Sequence, residues 1–111
     1  MILDTNVLSA LMSVPPAAAV LQWMDERAAD RLFITAITVA EVRYGLGIMP
    51  ARRRRTDLFT QADAMFGQDF RGRILSFDEQ AANAFGALSS HRRALGRPIS
   101  ISDGYIAAIA T

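Results

Sequence analysis

Three acids in this chain hold positions from which carboxylates can do chemistry. Asp4 follows the apolar run Met1–Leu3, Glu41 ends Thr38-Val-Ala-Glu41, and Asp103 ends Ser100-Ile-Ser-Asp103. Carboxylates gathered from such distant points repel one another. Two unit charges about 4 Å apart cost roughly 4 kcal/mol at an effective dielectric near 20. A cluster of three therefore needs protons, an arginine or a divalent ion. All-oxygen ligands favour a hard ion, magnesium or manganese, over zinc. Such an ion activates water and offsets the charge of a phosphoryl transition state. Other chemistries have little to work with. Cysteine is absent, so there is no thiolate nucleophile, and the single histidine, His91, gives little for a serine triad.

Each acid also has a purely structural explanation. Thr38-Val-Ala-Glu41 has the T-x-x-E form of a capping box, and Ser100-Ile-Ser-Asp103 has the same shape. Asp4 can cap the helix after it, although Thr5 or Asn6 could do so alone. Burying the Asp4 charge after an apolar run is costly unless something pairs with it.

The elements that must position these acids alternate. MILD, residues 1–4, reads as a short buried strand, with a short helix over roughly 6–13. Pro15 and Pro16 open a second helix that continues through AAAVLQWMDERAA. LFITAI (32–37) reads as a strand and TVAEVRYGLGIM as the helix after it, weakened at Gly45 and Gly47 and closed by Pro50. ARRRRTDLFTQADAMF is a further helix, with Leu58, Phe59, Ala62, Met65 and Phe66 at helical spacing. Gly72 precedes the strand RILSF. Asp78 caps EQAANAFGALSSHRRAL, which buries Ala82, Phe85 and Leu88 and ends at Gly96 and Pro98. PISIS is extended, and SDGYIAAIAT forms a last helix.

Strands alternating with helices predict an α/β fold with a parallel sheet. Strand ends and the following helix starts gather along one carboxyl edge of such a sheet, where open α/β folds hold their sites. The three acids can meet there, with Glu41 and Asp103 each in the first turn of a helix.

Composition sets the outer bounds. The chain has 111 residues, 51% hydrophobic and 21% charged, a globular balance that fits one domain over 1–111. No apolar stretch reaches the roughly 18 residues of a membrane span, and no basic segment precedes an apolar one as in a signal peptide. The lack of cysteine fits a reducing cytoplasm. Net charge is +1 with all twelve basic residues arginine, so every positive group is a planar fork suited to phosphate.

LDTNVLS at 3–9, ITVAEVRYG at 37–45 and ISDGYIAAIA at 101–110, in that order and at those separations, resemble the PIN-domain nucleases. The likeness is to VapC-type toxins, including the FitB-like branch, and it covers essentially the whole chain. It implies a three-layer α/β/α fold with a short parallel sheet. It further implies a magnesium- or manganese-dependent endoribonuclease, silenced by a VapB-like antitoxin in a type II toxin–antitoxin pair and dimeric. Carried over by position, Asp4, Glu41 and Asp103 match the acidic metal ligands. Thr5 and Asn6 match the polar residues that orient the first acid, and Thr38 stands beside them. The family usually continues into a further strand and a loop with a fourth acidic or polar position. Both lie beyond Thr111, which leaves a catalytically impaired module that mainly grips its antitoxin as the alternative reading.

Arg52, Arg53, Arg54 and Arg55 form the conspicuous charge run. Successive helical residues step about 100°, so four in a row cannot all face one RNA strand. The run reads as a solvated helix start from which one or two arginines touch phosphate. Arg43 is expected at the surface. Tyr44, three residues after Glu41 on the same helix face, is expected in the core, with His91 exposed. Wide apolar stripes over 15–28 and 51–66 suggest a partner surface.

Overall fold

The computed structural model describes residues 2–11 and 32–111. The helix expected from Pro15, with its apolar stripe and Trp23, lies outside the described residues.

The parallel sheet is present and short. Ile2 forms a parallel bridge with Phe33. Strand β1 (Ile34–Thr35) pairs in parallel with β2 (Ile74–Leu75), Ile34 opposite Ile74 and Thr35 opposite Leu75. The Leu3 N–H donates to the Phe33 carbonyl at 2.8 Å, and the Ile34 N–H donates to the Arg73 carbonyl at 3.1 Å. Successive residues of a strand turn their backbone groups to opposite sides, so the 33–35 segment is the middle of the three.

Helices make up most of the rest. In chain order they are α1 (Thr5–Leu11), α2 (Ala36–Gly47), α3 (Arg53–Ala64), α4 (Glu79–Ala94) and α5 (Ile101–Ala110). After α3 the chain continues for five residues, Met65–Asp69, as a wide π-type turn. Helix α2 is the hub, touching α1, α3 and α5, while α5 packs mainly on α4. Leu3, Leu8, Leu32, Ile34, Val42, Leu46, Ala62, Met65, Phe66 and Phe70 form the core, so the stripe expected over 51–66 is turned inward on this chain's own sheet.

Several boundaries differ from the sequence reading, each for a local reason. The run LFITAI does not stay extended to Ile37. Helix α2 begins at Ala36 because Thr35 caps it, its Oγ1 accepting from the Thr38 N–H at 3.1 Å. Short apolar runs are where strand and helix are hardest to tell apart. PISIS stays extended only to Ser100, whose Oγ accepts from the Asp103 N–H at 3.2 Å and starts α5 at Ile101. On α4 the buried alanine is Ala81, and Ala82 faces solvent.

The helix stops follow the sequence more closely. Gly96 ends α4 with φ +72°. Its N–H reaches the Arg93 carbonyl at 3.0 Å while the Arg97 N–H reaches that of Arg92 at 2.9 Å, the paired bonds of a Schellman motif. Gly72, with φ +78°, turns the chain into β2. Glycine adopts such angles without steric cost.

Candidate active site

The three acids line one cavity. Asp4 arrives at the end of the first sheet segment, Glu41 from α2, and Asp103 from the first turn of α5. The cavity has a volume of about 340 Å³, and Thr5 and Asn6 complete its polar wall. Ile2, Ile106, Ala107 and Ala110 form its apolar side. No basic residue lines it, and none of the three acids has an ion-pair partner among the described residues. Asp4 and Asp103 are exposed and Glu41 is half-buried.

Each acid is held differently. Asp4 is the N-cap of α1: one of its oxygens, Oδ1, accepts from the Val7 N–H at 2.9 Å. Neither Thr5 nor Asn6 takes that role, since Thr5 already lies inside the helix. The cap uses one carboxylate oxygen and leaves Oδ2 for the cavity. Asp103 has its backbone N–H bound by Ser100, and no hydrogen bond fixes its carboxylate.

Glu41 is not a capping residue. With Thr35 as the cap, Thr38 occupies the third helical position and Glu41 falls in the second turn, beyond reach of the helix start. Its carboxylate instead accepts from the Thr5 hydroxyl at 3.0 Å. Thr5 lies 3.2 Å from the Thr38 hydroxyl, and the Thr35 hydroxyl donates to Thr38 at 3.4 Å. Each hydroxyl carries one proton. Thr5 spends its proton on Glu41, so Thr38 donates to Thr5 and Thr35 to Thr38. The Thr38 N–H closes the far end on Thr35. Three hydroxyl dipoles thus run in one direction and end on the carboxylate. Thr35 and Thr38 are fully buried. These contacts are long for hydroxyl bonds, so each is individually weak.

Thr35 is the residue that sequence reasoning missed. It stands three before Thr38, as eligible a cap, and the strand assignment to Ile37 concealed it. Tyr44 is 70% exposed, so the core role expected for it does not hold. Gly45, one residue on, shares the Glu41 face instead. Arg43 points away from the acids and pairs with Asp63 at 2.6 Å on an exposed surface. Its guanidinium also lies 5.2 Å from the centre of the Phe66 ring.

The arginine run divides as helical geometry requires. Arg55 donates to the Leu46 carbonyl at 3.0 Å and lies over the Phe59 ring, fastening α3 to the end of α2. Arg52 and Arg53 face a separate open cavity with Thr56 and Phe59. Arg54 alone of the four lines a cavity that also contains Glu41.

The donor set suits a hard divalent cation: three carboxylates, a neighbouring amide and hydroxyl, and no competing cation in the wall. Among the described residues, no three acidic or imidazole side chains converge on a single ligating point. The acids share one cavity without converging on one point. No helix among the described residues is long and apolar enough to cross a membrane.

A sequence model of the PIN domain matches residues 1–111. VapC ribonuclease Y4jK of Sinorhizobium fredii is 41% identical over 109 residues, covering 98% of this chain and 78% of that protein. Toxin FitB of Neisseria gonorrhoeae is 35% identical with the same coverage. A solved structure of FitAB bound to an IR36 DNA fragment superposes with a TM-score of 0.88 at 35% identity, covering 98% of this chain and 76% of that one.

Proposed function

This chain belongs to the PIN-domain family, and from that membership we propose that it is a divalent-metal-dependent endoribonuclease, the toxin of a toxin–antitoxin pair. The observation that carries the proposal is the cavity that Asp4, Glu41 and Asp103 all line, with no cation among the lining residues. Its relatives' names, VapC ribonuclease and toxin FitB, support the reaction and the role. The FitAB complex supports an antitoxin partner. A homodimer, a cytoplasmic location and magnesium or manganese as the ion complete the reading.

Asp4, Glu41 and Asp103 are the residues that would hold the ion. When bound there it supplies Lewis-acid chemistry, activating water and offsetting charge on the phosphoryl group. The chain's own groups prepare the site. Thr5, backed by Thr38 and Thr35, keeps the Glu41 carboxylate turned to the cavity. The capping bond to Val7 holds Oδ1 of Asp4 and leaves Oδ2 unengaged. Asn6 offers an amide to orient water or a phosphate oxygen. Ile106, Ala107 and Ala110 give the cavity one apolar wall.

The test is cleavage of a structured RNA pool with manganese, with magnesium and with EDTA, alongside Asp4→Asn. Asparagine caps a helix as well as aspartate, so this substitution removes charge from the site and keeps the start of α1. The expected result is metal-dependent cutting that Asp4→Asn abolishes. Wild-type rates from Asp4→Asn would remove Asp4 from the ligand set.

A second reading rests on the spacing of the acids, which do not converge on one point. In it the domain grips its antitoxin without cutting. The readings separate in thermal melts. A functional ion site adds about 2.7 kcal/mol of stability at a hundredfold excess over its dissociation constant, whereas a module without one shows no shift.

A further inference from the structure

A second cavity adjoins the acidic one through shared walls. Thr5 and Glu41 line both. The second has a volume of about 210 Å³, and its lining falls in pairs four residues apart on three helices. Thr5 and Ser9 come from α1, Glu41 and Gly45 from α2, Arg54 and Leu58 from α3. Val42 adds an apolar surface between them. Its lining therefore combines an acid shared with the proposed centre, an apolar surface and a guanidinium. Arg54 has no hydrogen bond or ion pair among the described residues, in contrast to Arg55 beside it.

Gly45 is part of the lining of this cavity. Glycine inside a helix costs stability relative to alanine, and there is normally a structural reason for it. Here its φ is not positive, and a Cβ built on it would meet nothing within 4 Å. Gly104 shows the contrast: its Cβ would fall 2.8 Å from the Phe85 ring. Gly45 lines the second cavity beside Glu41, so a larger side chain there would extend into open space at that wall.

We infer that this cavity is a nucleotide subsite for single-stranded RNA, holding the nucleotide next to the scissile phosphate. The base lies against Val42 and Leu58, in the room left by Gly45, and the adjoining phosphate is bound by Arg54. Arginine's planar fork matches phosphate oxygens, and an apolar surface with one aimed charge suits a base and its phosphate together. The inference rests on the reading of the acidic cavity as a nuclease centre, and it selects Arg54 from the four arginines of the run.

The test measures binding of a labelled single-stranded RNA decamer by fluorescence anisotropy in EDTA across a salt series, and its cleavage with manganese. The variants are Gly45→Leu and Arg54→Gln, with Arg53→Gln as the comparison, Arg53 lining the separate cavity. Gly45→Leu should weaken RNA binding about tenfold or more and raise KM, with a melting temperature at or above that of the wild type. Arg54→Gln should weaken binding and reduce the log–log salt slope by about 0.7, the value for one lost phosphate contact on a single strand. Arg53→Gln should leave the slope as it is. If the wild type binds and cuts RNA while both cavity variants match it, the subsite is wrong and the nuclease reading survives. Loss of antitoxin binding by Gly45→Leu with RNA binding intact would assign the cavity to a protein and overturn the inference. A wild type that neither binds nor cuts RNA would overturn the nuclease reading and the subsite with it.

Discussion

Two tetrapeptides that look alike in the sequence, Thr38-Val-Ala-Glu41 and Ser100-Ile-Ser-Asp103, are put to different uses. In the second the motif acts as its pattern suggests: Ser100 caps α5, and Asp103 sits in the favoured first turn. In the first it does not. Helix α2 starts a turn earlier on Thr35, so Thr38 becomes an interior residue and its hydroxyl is freed for Thr5. Glu41 is thereby released from any capping role and held by a buried line of hydroxyls, whereas the Asp103 carboxylate is left free at an exposed helix end. One acid is fixed from behind and the other is placed mainly by its backbone. The same four-residue pattern thus yields a rigid wall and an adjustable one on opposite sides of a single cavity.

The comparison is broken most directly at the acids themselves. Glu41→Gln and Asp103→Asn should each lower metal-dependent RNA cleavage by roughly a hundredfold or more, the scale of losing a group that stabilises transition-state charge. Glutamine keeps an oxygen for the Thr5 hydroxyl, and the bond from the Asp103 N–H to Ser100 does not involve the side chain. Both variants should therefore melt within about 0.5 kcal/mol of the wild type, as surface changes do. Cleavage assays beside melting curves check this. Full activity in either variant would strike that acid from the site.

Cutting the hydroxyl line tests whether Glu41 is held from behind. Thr38→Val keeps the shape and removes the hydroxyl between Thr5 and Thr35, while the Thr5 bond to Glu41 and the bond from the Thr38 N–H to Thr35 remain. Isothermal titration with manganese should show affinity reduced about 10- to 100-fold, the usual effect of removing a group that orients a ligand. Stability should fall by about 1–3 kcal/mol, nearer the lower figure because the bonds are long. Unchanged manganese affinity would mean that the line stabilises the fold without orienting Glu41.

On the other wall, Asp103 depends on how closely α5 approaches α4. Gly104 permits that approach, since a Cβ there would lie 2.8 Å from the Phe85 ring and 3.1 Å from the Ser89 Oγ. The ring has little room to retreat, as Tyr105 packs against it with centroids 4.6 Å apart and against Phe77 at 4.7 Å. Gly104→Ala should cost about 1–2 kcal/mol, an overpacking strain partly offset by alanine's better helix propensity. Cleavage should fall as Asp103 is displaced. Gly45→Ala, with open space around it, should instead gain up to about 1 kcal/mol. Urea denaturation of the pair measures the difference, and equal shifts would contradict the packing described.

The contrast also explains what could be read from the sequence. The order of elements was legible because turn glycines, caps and apolar stripes are local signals: Gly72, Gly96, Asp78 and Ser100 all act where their types suggest. That the three acids would line one cavity was legible because a parallel sheet gathers its strand ends and the helices that follow along one edge. What escaped was decided by competition between equivalent neighbours. Thr35 and Thr38 are both able to cap, and pairing of β1 with β2 ends at Thr35, which settles the choice through a contact 40 residues away. Tyr44 and Gly45 both follow Glu41 at helical spacing. The one-turn shift does not alter their phase, but packing of α3 on α2 decides which faces the cavity. The division of labour within Arg52–Arg55 likewise depends on where the end of α2 lies, since Arg55 is bound to the Leu46 carbonyl.

The smallest effect comes from Ser100, and it is the one that separates capping from site-building. Ser100→Ala removes the hydroxyl that accepts from the Asp103 N–H. Loss of an N-cap costs about 1 kcal/mol, a fall of a few degrees in melting temperature for a domain of this size. That hydroxyl makes no bond to the Asp103 carboxylate, so manganese affinity measured well below the melting point should stay within about twofold of the wild type. Thr38→Val and Ser100→Ala replace residues at the same position of the same pattern, yet only the first should loosen the ion. If Ser100→Ala weakened manganese binding as much as Thr38→Val, both tetrapeptides would be orienting their acids, and the distinction between a rigid and an adjustable wall would fall.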